Sequence, residues 1–171
     1  LQGNPSMPAS PTEAKEKAGS AEAAEAVKAR KAMGSGSTVT DKYMTPADAL
    51  ARHGQYGDAA ELLRGAVAEQ PGNGEAWLAM ANALVGHAEG NLSPAAVLAF
   101  RNAERAAPDH PGPPFFLGLA LAQSGRTDEG RAIWLELLAR SPADAPWRAE
   151  LTARLADLDA FIARQKTAEG Q

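Results

Sequence analysis

Three prolines place the strongest constraint on this chain. Pro71 in AEQPGN, Pro108 in RAAPDH and Pro142 in ARSPAD each follow a run of helix-forming residues. Proline has no backbone N–H and its ring collides with the preceding turn, so each marks where a helix must stop. The spacings are 37 and 34 residues, a period that belongs to stacked helical hairpins. One such hairpin cannot bury its own apolar face, so neighbours have to stack. Composition agrees: alanine and leucine are plentiful and only 5% of residues are aromatic, which favours helices over strands. A chain of 171 residues holds one domain of about 120 residues and an extension.

Aligned on the prolines, the three units share a pattern of large and small residues. The first gives Tyr43, Leu50, Gly54, Tyr56, Ala59, Leu63, Ala66 and Pro71. The second gives Trp77, Met80, Ala81 and Leu84, then Ala96, Phe100, Ala103 and Pro108. The third gives Pro114, Leu117, Gly118, Leu121, Gly125, Trp134 and Pro142. This pattern resembles the tetratricopeptide repeat, and the fold class it implies is all-α. Three tetratricopeptide hairpins at about 40–73, 74–110 and 111–144 form a right-handed superhelix, sealed by a capping helix at 145–165.

Small residues such as Ala59, Ala96 and Gly118 let helices approach, and Leu63, Trp77, Phe100 and Trp134 fill the space between hairpins. Gly125 ends a helix, Thr127 or Asp128 caps the next, and Ser93 caps a helix with Pro94 at its first position. Gly130, where alanine is usual, is expected to loosen its helix by roughly 1 kcal/mol. In ADAPWRAELTARLADLDAFIARQ, Pro146 fits a first turn, and Leu151, Leu155, Leu158 and Ile162 form one stripe. The end, 166–171, should fray.

Residues 1–40 read differently. LQGNPSMPASP is too proline-rich for a helix, and TEAKEKAGSAEAAEAVKARKAM has good helix formers but only Val27 and Met33 as sizeable hydrophobes. A helix there is marginal by itself. GSGSTVT reads as a link. The expectation is a flexible N-terminal tail without tertiary contacts, leading into a domain at 41–165 with seven helices.

Little in the chain points to chemistry. The net charge of −4 argues against nucleic acid as a partner, and the absence of cysteine removes disulfides, thiolate metal sites and thiol catalysis. His53, His87 and His110 lie in or beside turns, none four residues from another ligand type on a helix, so they read as solvated turn residues. No metal, cofactor or catalytic residue is assigned, and a non-enzymatic binding role is expected. No stretch approaches the roughly 18 apolar residues of a membrane span. The chain starts at Leu1, and the expectation is a piece of a longer protein with any anchor upstream.

The groove of such a stack is lined by the first helix of each hairpin. The repeat register assigns to it Asp48 and Arg52, then Glu75, Leu78 and Asn82, then Phe115, Leu119 and Gln123. Phe115 stands beside Phe116, and one of two adjacent helical residues is expected to face away from the core, as an anchor for an amphipathic helix. The carboxylate clamp of chaperone-binding repeats needs Lys, Asn and Arg, and of its matching positions only Asn82 fits.

Over LAFRNAERAAPDHPGPPFFLGLALAQSGRTDEGRAIWLELLARSPADAPWRAEL the likeness becomes narrower. Pro108-Asp109-His110-Pro111, Ile133-Trp134 with LELL, and SPADAPWR at 141–148 resemble the periplasmic domain of the c-type cytochrome biogenesis tetratricopeptide proteins, the CycH or CcmI type. That resemblance implies a periplasmic chaperone anchored to the inner membrane. It would bind apocytochrome c, chiefly through the C-terminal helix, and present it to the subunits of a haem-ligation complex. Haem would be handled by those partners, so no haem ligand is assigned to His87 or His110. A general cell-envelope scaffold using the same groove is the alternative.

Overall fold

The computed structural model describes residues 11–33 and 41–170. They form eight helices: α1 (Pro11–Met33), α2 (Asp41–Arg52), α3 (Tyr56–Glu69), α4 (Gly74–His87), α5 (Pro94–Ala106), α6 (Gly112–Gln123), α7 (Thr127–Arg140) and α8 (Arg148–Glu169). Helices α2–α3, α4–α5 and α6–α7 are the three hairpins, and α8 closes the last one. Each register proline sits two residues beyond the end of a second helix, at the ends of α3, α5 and α7.

The turns follow from backbone chemistry. Gly54 (φ +75°) and Gly125 (φ +80°) are left-handed, which glycine adopts at little cost. Each closes a Schellman motif: Gln55 N–H donates to Leu50 O at 2.9 Å, and Arg126 N–H to Leu121 O at 2.9 Å. In the longer turn after α4 the left-handed position falls on Glu89 (φ +53°), and Gly90 N–H donates to Val85 O at 2.9 Å. Ser93 caps α5 by accepting from Ala96 N–H at 3.2 Å, with Pro94 at the first helical position. The cap expected at Thr127 or Asp128 is Arg126 instead. Its side chain bonds not to the helix backbone but to the Glu129 carboxylate, at 2.8 and 2.7 Å.

Two apolar clusters fill the stack. Between the first two hairpins the buried residues are mostly alanines with Leu63 and Val67. From the second hairpin to α8 they are larger: Leu78, Phe100, Phe115, Phe116, Trp134 and the α8 stripe Leu151, Leu155, Leu158 and Ile162. Trp134 Nε1–H donates to Phe115 O at 2.9 Å. Gly118 and Gly130 allow that arrangement. A Cβ on Gly118 would come 2.3 Å from Trp134 Nε1, and one on Gly130 2.6 Å from Gly118 O. Gly130 is thus a packing requirement of the α6–α7 crossing, not a weak point in its helix.

The capping helix differs from its expected bounds. It begins at Arg148 and runs to Glu169, so Pro146 precedes it and most of 166–171 is helical. The Trp-Arg pair at its start has a structural use: Arg148 Nη1 donates to Leu138 O (2.6 Å) and Ser141 O (3.2 Å), satisfying carbonyls left open at the end of α7.

The larger correction concerns the N-terminal extension. Residues 11–33 are helical, and Ala23, Val27 and Arg30 are buried, so this part of 1–40 has tertiary contacts and the described helices number eight, not seven. Of the rest of that expectation, the proline-rich start and the glycine-serine link, 1–10 and 34–40 lie outside the described residues.

Candidate protein-binding groove

Helices α2, α4 and α6 stand in sequence and share an inner face, and α1 lies on it, packing along α2 and reaching α4. The residues that α1 turns inward are Ala23, Ala26, Val27, Arg30 and Met33, spaced as one helical stripe. Its outer face is charged: Glu22, Glu25, Lys28 and Lys31 are exposed. At one end Gln123 of α6 donates to Glu22 at 3.3 Å.

Arg30 is the electrostatic centre of the contact and only 3% exposed. Its Nη2 lies 2.6 Å from Asp48 Oδ1 and its Nη1 2.9 Å from Glu75 Oε2. Lys31 Nζ adds a contact of 3.0 Å to Asp48 Oδ2. Desolvating a guanidinium costs several kcal/mol, which only close pairing offsets. Two carboxylates from two different hairpins provide that pairing.

Glu75 is held from a second side. His110 Nδ1 accepts from Gly112 N–H at 2.8 Å, which leaves Nε2 to donate to Glu75 Oε1 at 2.6 Å. Burial opposes ionisation of Glu75, but the His110 hydrogen bond and the Arg30 charge outweigh it, and the carboxyl is held below its ordinary value. His110 is therefore a structural link between α4 and the start of α6, not a solvated turn residue.

Of the residues assigned to the groove by register, Asp48, Glu75, Asn82 and Gln123 do border α1. Arg52 is exposed in the last turn of α2. Leu119 is half-buried in the apolar cluster that also receives Ala26, Ala29 and Met33. Leu78 and Phe115 are core residues, at 0% and 2% exposure. Phe115 stacks on Trp134 (centroids 6.1 Å apart) and meets Phe116 edge-on at 5.1 Å; the Arg154 guanidinium of α8 lies 5.5 Å from its ring. Neither of the two adjacent phenylalanines faces outward, because α6 is covered on both sides, by the second hairpin and by α7 with α8. Phe115 and Phe116 can then both be buried.

Sequence reasoning missed Arg30 and its alanine stripe. The signal was present as Ala23, Ala26, Val27 and Met33 on one helical face with charges on the others, but alanine adds little hydrophobicity and Arg30 interrupts the stripe. A small cavity of about 40 Å³ remains between α1, α2, α3 and α4, bordered by Ala23, Val27, Ala51, Leu63, Ala79 and Asn82.

An array of helical hairpins with a closed end and an inner face that holds a helix defines a class by its fold: an all-α stack of tetratricopeptide-type hairpins with a capping helix. Residues 50–95, from the end of α2 to the start of α5, match the tetratricopeptide repeat family. Beyond the repeat, the chain is similar to two curated proteins named cytochrome c-type biogenesis protein CycH. It is 36% identical to that of Bradyrhizobium diazoefficiens over 60% of the chain. It is 34% identical to that of Rhizobium meliloti over 64% of the chain. It spans 28% and 29% of their lengths. Among the described residues no helix is long and apolar enough to cross a membrane.

Proposed function

We propose that this domain serves c-type cytochrome maturation as a non-catalytic chaperone. It binds the unfolded C-terminal segment of apocytochrome c in the groove of α2, α4 and α6 and hands it to the haem-ligation complex. The observation that carries this reading is the inner face itself, which accepts a helix through a narrow apolar strip and an acidic pair. The relatives' role in cytochrome c-type biogenesis supplies the biological setting, with periplasmic location and an upstream inner-membrane anchor as parts of the same proposal.

The energetics favour a segment that is disordered when free. Ordering it costs about 2–5 kcal/mol, while micromolar binding corresponds to about −8 kcal/mol net, so apolar burial has to provide most of the affinity. Leu119 and the alanine face of α4 offer that surface; Asp48, Glu75, Asn82 and Gln123 set orientation, and Arg52 stands at the edge. A folded holocytochrome hides its helix face against its own core. Calorimetry with apocytochrome, its C-terminal peptide and holocytochrome is the test. Binding of the first two alone is the expected result. Equal affinity for apo- and holocytochrome, or none for either, overturns the reading and leaves a general envelope scaffold.

A further inference from the structure

We infer that α1 is a built-in occupant of the groove, and that Asp48 and Glu75 form a receptor for one basic side chain of whichever helix lies there. Arg30 fills that receptor from within the chain, and a partner helix fills it with an arginine or lysine of its own after displacing α1. The inference rests on the reading of this face as the binding site and adds the partner's chemistry: a helix with a narrow apolar stripe interrupted by one basic residue.

Three observations converge. The receptor is assembled from two hairpins, Asp48 on α2 and Glu75 on α4, and both carboxylates reach the same guanidinium, at 2.6 and 2.9 Å. His110 orients Glu75 from the far side at 2.6 Å, so the acceptor is held by the repeat fold as well as by α1. A cavity of about 40 Å³ lies beneath α1, between it and α2, α3 and α4. A guest helix with a larger apolar side chain along this stretch has room there that α1 does not use. Being on the same chain, α1 competes at an effective concentration on the order of millimolar, so an incomplete fit suffices for occupancy and leaves a better-fitting helix able to win.

The test uses the full chain, its Arg30→Glu variant and two labelled peptides, one of residues 11–33 and one from an apocytochrome C-terminus. Arg30→Glu sets a third carboxylate against Asp48 and Glu75 and should expel α1. A helical circular dichroism spectrum and an unchanged core melt verify that the repeats stay folded; Val27→Asp expels α1 by a different route should Arg30→Glu misfold. The 11–33 peptide should bind the variant at least about tenfold tighter than the parent, because the groove is vacated, and the same peptide carrying Arg30→Glu should bind neither. Equal binding of the 11–33 peptide to parent and variant overturns the inference, as does a concentration-dependent dimer of the parent that Arg30→Glu dissolves, since the occupant would then be a neighbour's α1. If the 11–33 peptide behaves as expected but the apocytochrome peptide binds neither protein, the inference stands and the apocytochrome reading fails. If the apocytochrome peptide binds parent and variant alike, the reading stands and the inference fails.

Discussion

Arg30, Asp48 and Glu75 join α1 to two hairpins through one guanidinium, and Glu75 gives that contact a pH dependence. The groups facing Glu75 are Arg30 of α1 and His110 before α6, with Asp48 of α2 across the guanidinium and Lys31 beside Asp48. The Glu75 carboxyl is held below its ordinary 4.5. An acid whose pKa is lowered in the docked state stabilises docking above its free value and stops doing so as pH falls through the lowered one. Only the Arg30 part of that lowering is lost when α1 leaves, so docking should weaken as pH falls below the ordinary 4.5, read as smaller amide protection factors in α1 while those of α6–α8 hold. A Glu75→Gln variant should remove that acid dependence. Gly130 supplies a second prediction at this scale. Gly130→Ala should lower stability by about 1–3 kcal/mol, because crowding against Gly118 O outweighs the roughly 1 kcal/mol that alanine adds to a helix. A urea titration checks it, and a more stable variant would refute the close crossing.

At the scale of the element, the prolines, the left-handed glycines and the Ser93-Pro94 cap were legible because each acts through its own backbone within a few residues. Helix starts without a side-chain cap were less so: Arg126 and Trp147 occupy the N-cap positions of α7 and α8, where nothing in their residue types announces the role. The inner face was half legible. Register located Asp48, Glu75, Asn82 and Gln123, since position in a repeat determines which face a residue occupies. It misplaced Phe115, which is buried against Trp134 of α7 and lies under Arg154 of α8, an element outside the repeat. It overlooked α1, whose contact rests on alanines and a partnered arginine. Trp134 should behave as a core element: Trp134→Ala should cost about 3–5 kcal/mol by denaturation. Trp77, half-buried with Nε1–H donating to Pro71 O at 2.8 Å, should cost distinctly less.

For the whole molecule, the two clusters predict uneven stability. The first interface is packed with Ala47, Ala59, Ala66, Ala76, Ala79 and Ala83 around Leu63 and Val67, whereas the second carries Phe100, Phe115, Phe116, Trp134 and the leucines of α8. Larger side chains remove more apolar surface from water, and in a linear array each hairpin is held chiefly by its neighbours. Native-state hydrogen exchange should then show α2 and α3 opening at lower free energy than α6 and α7, and Arg30→Glu should lower protection in α2 further while leaving α7 unchanged. Uniform protection along the array would contradict this. The shared cation has a last consequence, for rates. Without it, two carboxylates that shared one cation lose it together, and only His110 remains on Glu75, so a vacant groove carries an electrostatic cost. On the displacement proposed above, loading and unloading would proceed as a relay, one helix entering as another leaves, and a guest's residence time would follow how quickly the chain's own helix returns to the carboxylates.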